Sequence, residues 1–253
     1  MRFLAETASD GVSQRRFTLG DVPGVLWSPA AAVGGRPLVL LGHGGGGHSR
    51  TLAMAARARR LVTEYGFAVA AVDAPGHGDR PRTARDEWFE AEIGALLAAG
   101  EPLSPGIAGH TAALAARAVP EWRAVLDAVR ALDPVGAEHP VGYWGLSLGS
   151  VIGLPLVAAE PRIAAAVVGL AGDDSLTASA ARVTVPVRFL LQWDDRLVRR
   201  EAGLALFDAL GSREKTLHAH PGGHGDVPAA ESEQAERFLA RHLRAPGSAP
   251  GAR

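Results

Sequence analysis

Gly145-Leu146-Ser147-Leu148-Gly149 follows the apolar run Val141-Gly142-Tyr143-Trp144 and leads into a second apolar stretch, residues 148–159. The first run reads as a buried strand and the second as a helix. The pentapeptide therefore sits where a strand turns sharply into a helix, the context in which G-x-S-x-G forms a nucleophile elbow. A serine on so tight a turn needs neighbours without bulk. Gly145 and Gly149 supply them, and Ser150 and Gly153 keep the next turns slim. Such a turn lifts the hydroxyl above the sheet edge and sets a helix N-terminus beneath any oxyanion formed there. The bare pattern also arises by chance in a glycine-rich chain, so the flanking strand and helix give it its weight.

Outward from this turn the chain alternates strands and helices. Residues 15–19 and 24–27 read as short leading strands, and 37–41 as a buried strand that ends in a glycine loop. Ser49 is placed to cap a helix running to about Tyr65, and 67–72 form the next strand, closed by Asp73-Ala74-Pro75-Gly76-His77-Gly78. Pro120 suits the first turn of a helix in which Trp122, Val125, Leu126, Val129 and Leu132 recur at helical spacing. Further strands are expected at 163–170, 185–193 and 215–220. Further helices are expected at 200–210, ended by Gly211, and at 229–243. Pro155 falls inside the helix after the elbow and predicts a kink or an early end. The tail, 245–253, is rich in Pro, Gly and Ala and is expected to fray.

Continuous apolar strands between amphipathic helices predict an α/β fold: a mostly parallel, doubly wound sheet covered on both faces. Its 253 residues suit a single domain. Between Pro81 and Val119 there is too much chain for one loop. Trp88, Phe89, Ile93, Leu96 and Leu97 suggest one helix there and 110–118 another, so 81–119 is read as a small helical cap inserted over the pocket.

Composition narrows the function classes. The apolar content of 47% supports a sizeable core, and the net charge of -1 leaves no basic field for nucleic acid or a membrane surface. Lys215 is the single lysine, so arginine carries nearly all the positive charge. The chain has no cysteine, which excludes disulfides, thiolate metal sites and cysteine catalysis. The first residues carry no apolar core of signal-peptide length, and no apolar run spans a bilayer, so a cytoplasmic location is expected.

Ligands of open parallel sheets bind beyond the carboxyl ends of the strands, and His43, Asp73, Ser147, Asp195 and His224 all fall there. A serine hydroxyl needs a base, and a histidine base needs a carboxylate to fix its tautomer. Gln192-Trp193-Asp194-Asp195-Arg196-Leu197-Val198 and Pro221-Gly222-Gly223-His224-Gly225-Asp226 supply both, each just after a strand. His224 alone among the histidines sits in a glycine-rich turn after the last strand. Asp195 and Asp194 are adjacent candidates for the acid, with Asp173 and Asp174 further alternatives. The Leu148 N–H, directly after the serine, is one expected oxyanion donor. A zinc reading of His43, His48 and His77 matches no common ligand spacing, so no metal or other cofactor is expected.

Together with Gly42-His43-Gly44-Gly45-Gly46-Gly47 and Asp73-Ala74-Pro75-Gly76-His77-Gly78, these segments give the chain a resemblance to α/β-hydrolases. It looks nearest to the dienelactone hydrolase-like and small esterase branches, from about residue 38 to 243. The resemblance implies a Ser147, Asp195, His224 triad, because relatives commonly place the aspartate three residues before a valine, here Val198. Gln192 stands where those relatives usually carry glycine. It also implies that Gly45 supplies the second oxyanion N–H, with Gly44 close behind. Gly44, His48, Trp88 and Phe89 are assigned to substrate binding; the alternative for His48 is that it merely precedes the helix cap. The implied activity is cleavage of a small-molecule carboxylic ester of small to medium acyl group through an acyl-enzyme. A thioesterase, amidase, C–C hydrolase or acyltransferase on the same triad, or a non-catalytic ligand-binding relative, are the alternatives.

Overall fold

In a computed structural model of the protein, residues 1–31, 34–103, 105–133 and 135–244 are described. The expected fraying of 245–253 lies outside them. The described residues form nine strands in one sheet: β1 (Arg2–Ser9), β2 (Val12–Leu19), β3 (Val22–Pro29), β4 (Leu38–Gly42), β5 (Ala68–Val72), β6 (Val141–Gly145), β7 (Ile163–Gly169), β8 (Val187–Gln192) and β9 (Lys215–His220). The helices are α1 (Leu52–Tyr65), α2 (Ala84–Ala99), α3 (Pro105–Arg130), α4 (Leu148–Ala159), α5 (Thr177–Ala180), α6 (Arg200–Ala209) and α7 (Ala229–Leu243). Strand order is β1-β2-β3-β5-β4-β6-β7-β8-β9. The first three strands and the β3–β5 pair are antiparallel, and every pairing from β5 to β9 is parallel.

The parallel strands β4 to β8 are buried on both faces, the edge strand β9 only partly, and alternate residues enter different layers. Leu38, Leu40 and Tyr143 pack with Trp122, Leu126 and Leu154 from α3 and α4. Val39, Leu41 and Trp144 pack on the other side with Leu61 of α1 and Leu239 of α7. This is the doubly wound α/β arrangement expected from the sequence. Among the described residues, no helix is long and apolar enough to cross a membrane.

Several local expectations differ. β1 does not figure in the sequence reading, because all eight of its residues are exposed and leave no burial pattern to read. It is held by its backbone ladder to β2. The first helix is capped by Thr51, whose side chain accepts from the Met54 N–H, and not by Ser49. Pro120 does not start a helix: α3 runs through it, uniting the two helices expected at 110–118 and from 120. Pro155 likewise sits within α4, which continues to Ala159. In both helices the buried apolar stripe on each side of the proline outweighs the lost backbone bond.

Candidate active site

Strand β6 delivers the chain to Ser147, which takes φ 57° and ψ -119° before α4 begins at Leu148. A non-glycine residue in that region is strained by about 1–3 kcal/mol and persists only where its surroundings over-determine it. The fully buried Tyr143 supplies much of that constraint. Its hydroxyl donates to the Gly149 carbonyl at 2.5 Å. Its ring occupies space that side chains would otherwise need: a Cβ on Gly153 would lie 2.1 Å from Tyr143 Cε1, and one on Gly145 2.6 Å from the hydroxyl. Burial pushes the Tyr143 phenol up, so it remains a neutral donor. Ser150 Oγ lies 2.8 Å from the Gly145 carbonyl and accepts from the Gly169 N–H at 2.7 Å. The Ser147 N–H donates to the Gly169 carbonyl at 3.0 Å. Elbow and neighbouring strand end are thus one hydrogen-bonded unit.

Two loops from farther along the chain meet the serine. His224 Nε2 lies 2.9 Å from Ser147 Oγ, and His224 Nδ1 lies 2.7 Å from Asp195 Oδ2. The carboxylate can only accept from Nδ1–H, which leaves Nε2 to accept the Ser147 hydroxyl proton. Asp195 Oδ1 accepts from the Leu197 and Val198 N–H groups at 2.9 and 3.0 Å. The aspartate side chain is 3% exposed and the histidine 20%, so the pair is shielded without being sealed. Asp194 turns the other way, and its Oδ2 accepts from the Gly222 N–H at 2.9 Å. Asp173 accepts from the Ser175 N–H at 2.7 Å and so caps the short helical turn Asp174–Leu176.

The glycine loop after β4 is tied down from below. His43 Nε2 accepts from the Ala74 N–H at 3.0 Å, which leaves Nδ1–H to donate to the Gly44 carbonyl at 2.8 Å. Burial lowers the His43 pKa to about 4, so the ring stays neutral and can fill both roles. Asp73, fully buried, accepts from the Ser49 N–H and hydroxyl at 2.8 and 2.6 Å and from the Asp79 N–H at 3.0 Å. Ser49 therefore staples this loop to the one after β5, which is why it does not cap α1. Among the described residues, neither the Gly45 nor the Leu148 N–H has a protein acceptor. The two residues face each other: a Cβ on Gly45 would lie 3.9 Å from Leu148 Cβ.

A cavity of 510 Å³ opens above Ser147. Gly45, His48, Phe89, Leu148 and His224 line it with Ser147; Gly44 does not. Trp88 is also outside the lining and is 42% exposed. At about 100° per residue it stands opposite Leu97 on α2, and it is Asp86, Phe89, Glu90, Ile93, Gly94 and Leu97 that form the cavity stripe. Leu103, Ile107, Val151, Leu197 and Val198 add to the apolar wall. The sequence reading did not assign these five to the pocket. Leu197 and Val198 were within reach of it, because they follow Asp195 and donate to its carboxylate. Among the described residues, no cluster of three or more His, Asp or Glu is placed to hold a metal ion.

Residues 37–247 match the model of the alpha/beta hydrolase fold family. No curated protein sequence matches the chain. Among solved structures, it is 35% identical to a cold-adapted esterase from an Arctic intertidal metagenomic library in a PEG-bound complex, with a TM-score of 0.78 over 96% of this chain and 100% of that one. It shares the fold of a Paenibacillus acetyl xylan esterase, at 16% identity and a TM-score of 0.70 over 96% of this chain and 88% of that one. It also shares the fold of a dienelactone hydrolase from Anabaena variabilis, at 19% identity and a TM-score of 0.60 over 95% of this chain and 99% of that one. With a family match across most of its length and that identity to the metagenomic esterase, the chain belongs to the α/β-hydrolase fold family.

Proposed function

We propose that the protein is a serine hydrolase that cleaves carboxylic esters through an acyl-enzyme. The observation that carries this reading is the unbroken chain Ser147–His224–Asp195 at the base of the cavity, at 2.9 and 2.7 Å. His224 Nε2 takes the hydroxyl proton as Ser147 Oγ attacks the ester carbonyl, and Asp195 stabilises the imidazolium that forms. The carbonyl oxygen gains negative charge and is received by the Gly45 and Leu148 N–H groups, which have no other acceptor among the described residues. His224 then returns the proton to the departing alkoxide, leaving an acyl-serine. Water then gives a proton to the same nitrogen as its oxygen attacks the acyl carbon; the bond to Ser147 Oγ breaks, His224 returns the proton to that oxygen, and the acid leaves.

The apolar walls from α2, α3 and the Asp195 loop suit an apolar ester arm. We read α2 and the first part of α3 as a cap over the cavity, so 510 Å³ bounds what can bind and favours small to medium acyl groups. The 35% identity to an esterase over nearly the whole chain supports the reaction class. The test is turnover of p-nitrophenyl esters of graded acyl length by wild type and Ser147→Ala. Hydrolysis of short and medium esters, lost in a folded Ser147→Ala, is the expected result. Wild-type turnover in that variant refutes the reading.

A further inference from the structure

His224 rides on Pro221-Gly222-Gly223-His224-Gly225-Asp226, where glycines flank it on both sides. Gly222 takes φ 112°, a backbone conformation open chiefly to glycine. Within the loop Asp226 Oδ2 accepts from the Gly223 N–H at 2.8 Å and the Asp226 N–H donates to the Gly223 carbonyl at 3.0 Å. A base must hold its place to within about 0.5 Å, and the turn after β8 adds restraints from outside the loop. Gln192 is 2% exposed and reaches under the loop. Its Nε2 donates to the Gly223 carbonyl at 3.3 Å and lies 3.5 Å from the Pro221 carbonyl. Two carbonyls on one side fix the amide orientation, because only the NH₂ group can face them. The Gly223 carbonyl belongs to the peptide unit joined directly to His224.

From the outside, Asp194 Oδ2 accepts from the Gly222 N–H at 2.9 Å, and the Asp194 N–H donates to the Gly222 carbonyl at 3.1 Å. The Asp194 turn is pinned in its own right: the Arg200 guanidinium donates to the Trp193 carbonyl at 2.8 Å and stacks 4.0 Å over the Trp193 ring. One short turn thus presents Asp195 to the imidazole and grips the loop behind it.

We propose that Gln192 and Asp194 are positioning residues for the base, holding the peptide units ahead of His224 so that its ring reaches Ser147 and Asp195 together. This rests on the triad reading above. Neither residue lines the cavity, so their loss falls on kcat and leaves KM in place. Three variants test it: Gln192→Met, which keeps bulk but removes the donor; Asp194→Ala; and Asp194→Asn, which keeps an acceptor oxygen. Each is read by kcat and KM on a short p-nitrophenyl ester, by melting temperature, and by the far-downfield NMR proton of the His224–Asp195 bond. Gln192→Met and Asp194→Ala are expected to lower kcat about tenfold, the scale of one net hydrogen bond, and to broaden that proton. Asp194→Asn is expected to stay within about twofold of wild type, with KM steady in all three. Unchanged kcat and an unchanged proton in Gln192→Met and Asp194→Ala overturn the proposal. So does a kcat loss that merely follows melting temperature and is equal in Asp194→Ala and Asp194→Asn. If Gln192→Met does not fold, the Asp194 pair decides. Failure of the triad reading is recognised separately, by a Ser147→Ala variant that still turns over ester.

Discussion

Asp194 and Asp195 are neighbours in the chain with the same side chain, and only their partners separate them. Asp195 meets the His224 ring at 2.7 Å and is anchored by two backbone N–H groups, whereas Asp194 bonds the loop that carries the ring. Asp195→Asn is therefore expected to lose roughly 10⁴-fold in kcat, because an amide favours the wrong imidazole tautomer, while Asp194→Asn keeps most of its activity. Steady-state kinetics on both variants decides the ranking, and the reverse order would assign the acid to Asp194. His43 gives a second residue-scale expectation. Above pH 6.5 its ring is neutral in both the folded and the unfolded chain. Between 6.5 and about 4 only the unfolded chain takes up the proton, so stability falls as pH falls through that window and loses nothing more from this group below it. At pH 5 the penalty is about 2 kcal/mol. Denaturant unfolding at pH 7 and pH 5 measures it. His43→Gln, which keeps one donor and one acceptor, should show a shallower pH dependence; an identical slope would remove His43 as the cause.

At the scale of elements, the legible parts were those where one strong signal acts alone. The elbow, the parallel strands β4 to β8 and α7 announce themselves because each buries a continuous or periodic apolar set. β1 was silent because it buries nothing. The helix α3 was cut in two by reading Pro120 as a start, whereas Ala115, Ala118, Trp122 and Val125 pack on both sides of the proline and hold the helix together. On α2 the difficulty is physical: a cavity wall is neither core nor solvent. Trp88 and Leu97 are both exposed, yet they face opposite ways, and apolarity alone could not tell the outer face from the lining. The same geometry yields a prediction. Gly94 lines the cavity, and among the described residues a Cβ there meets nothing within 4 Å. Gly94→Leu should lower kcat/KM for medium and long acyl esters by about tenfold or more and leave acetate esters near wild type, since the cavity shrinks and the reacting groups stay put. Phe89→Ala should shift the chain-length profile as well, and Trp88→Ala should not. Equal losses on every ester in Phe89→Ala and Gly94→Leu would show that α2 serves stability alone.

Across the whole molecule, the site is assembled at one end of the parallel strands from β4, β5, β6, β8 and β9, which converge only if the far side of the sheet is sound. There Arg188 of β8 pairs with Glu231 at the start of α7 at 2.5 and 2.9 Å, the carboxylate being wholly buried. His220, at the end of β9, meets the same carboxylate at 2.9 Å. This links the two strands that lead to Asp195 and His224. Glu231→Gln leaves Arg188 buried without its counter-charge and should cost about 3–5 kcal/mol in denaturant unfolding; an unchanged midpoint would show that the pair is dispensable. The central claim is that these strands bring Ser147, His224 and Asp195 together as a working nucleophile, base and orienting acid. Labelling with a p-nitrophenyl alkylphosphonate, followed by intact-mass measurement and peptide mapping, tests it most directly. The expected result is one adduct, on Ser147, forming in step with the loss of ester turnover and strongly suppressed in His224→Ala. Turnover that vanishes with Ser147 unlabelled, or persists with Ser147 fully labelled, would contradict the account.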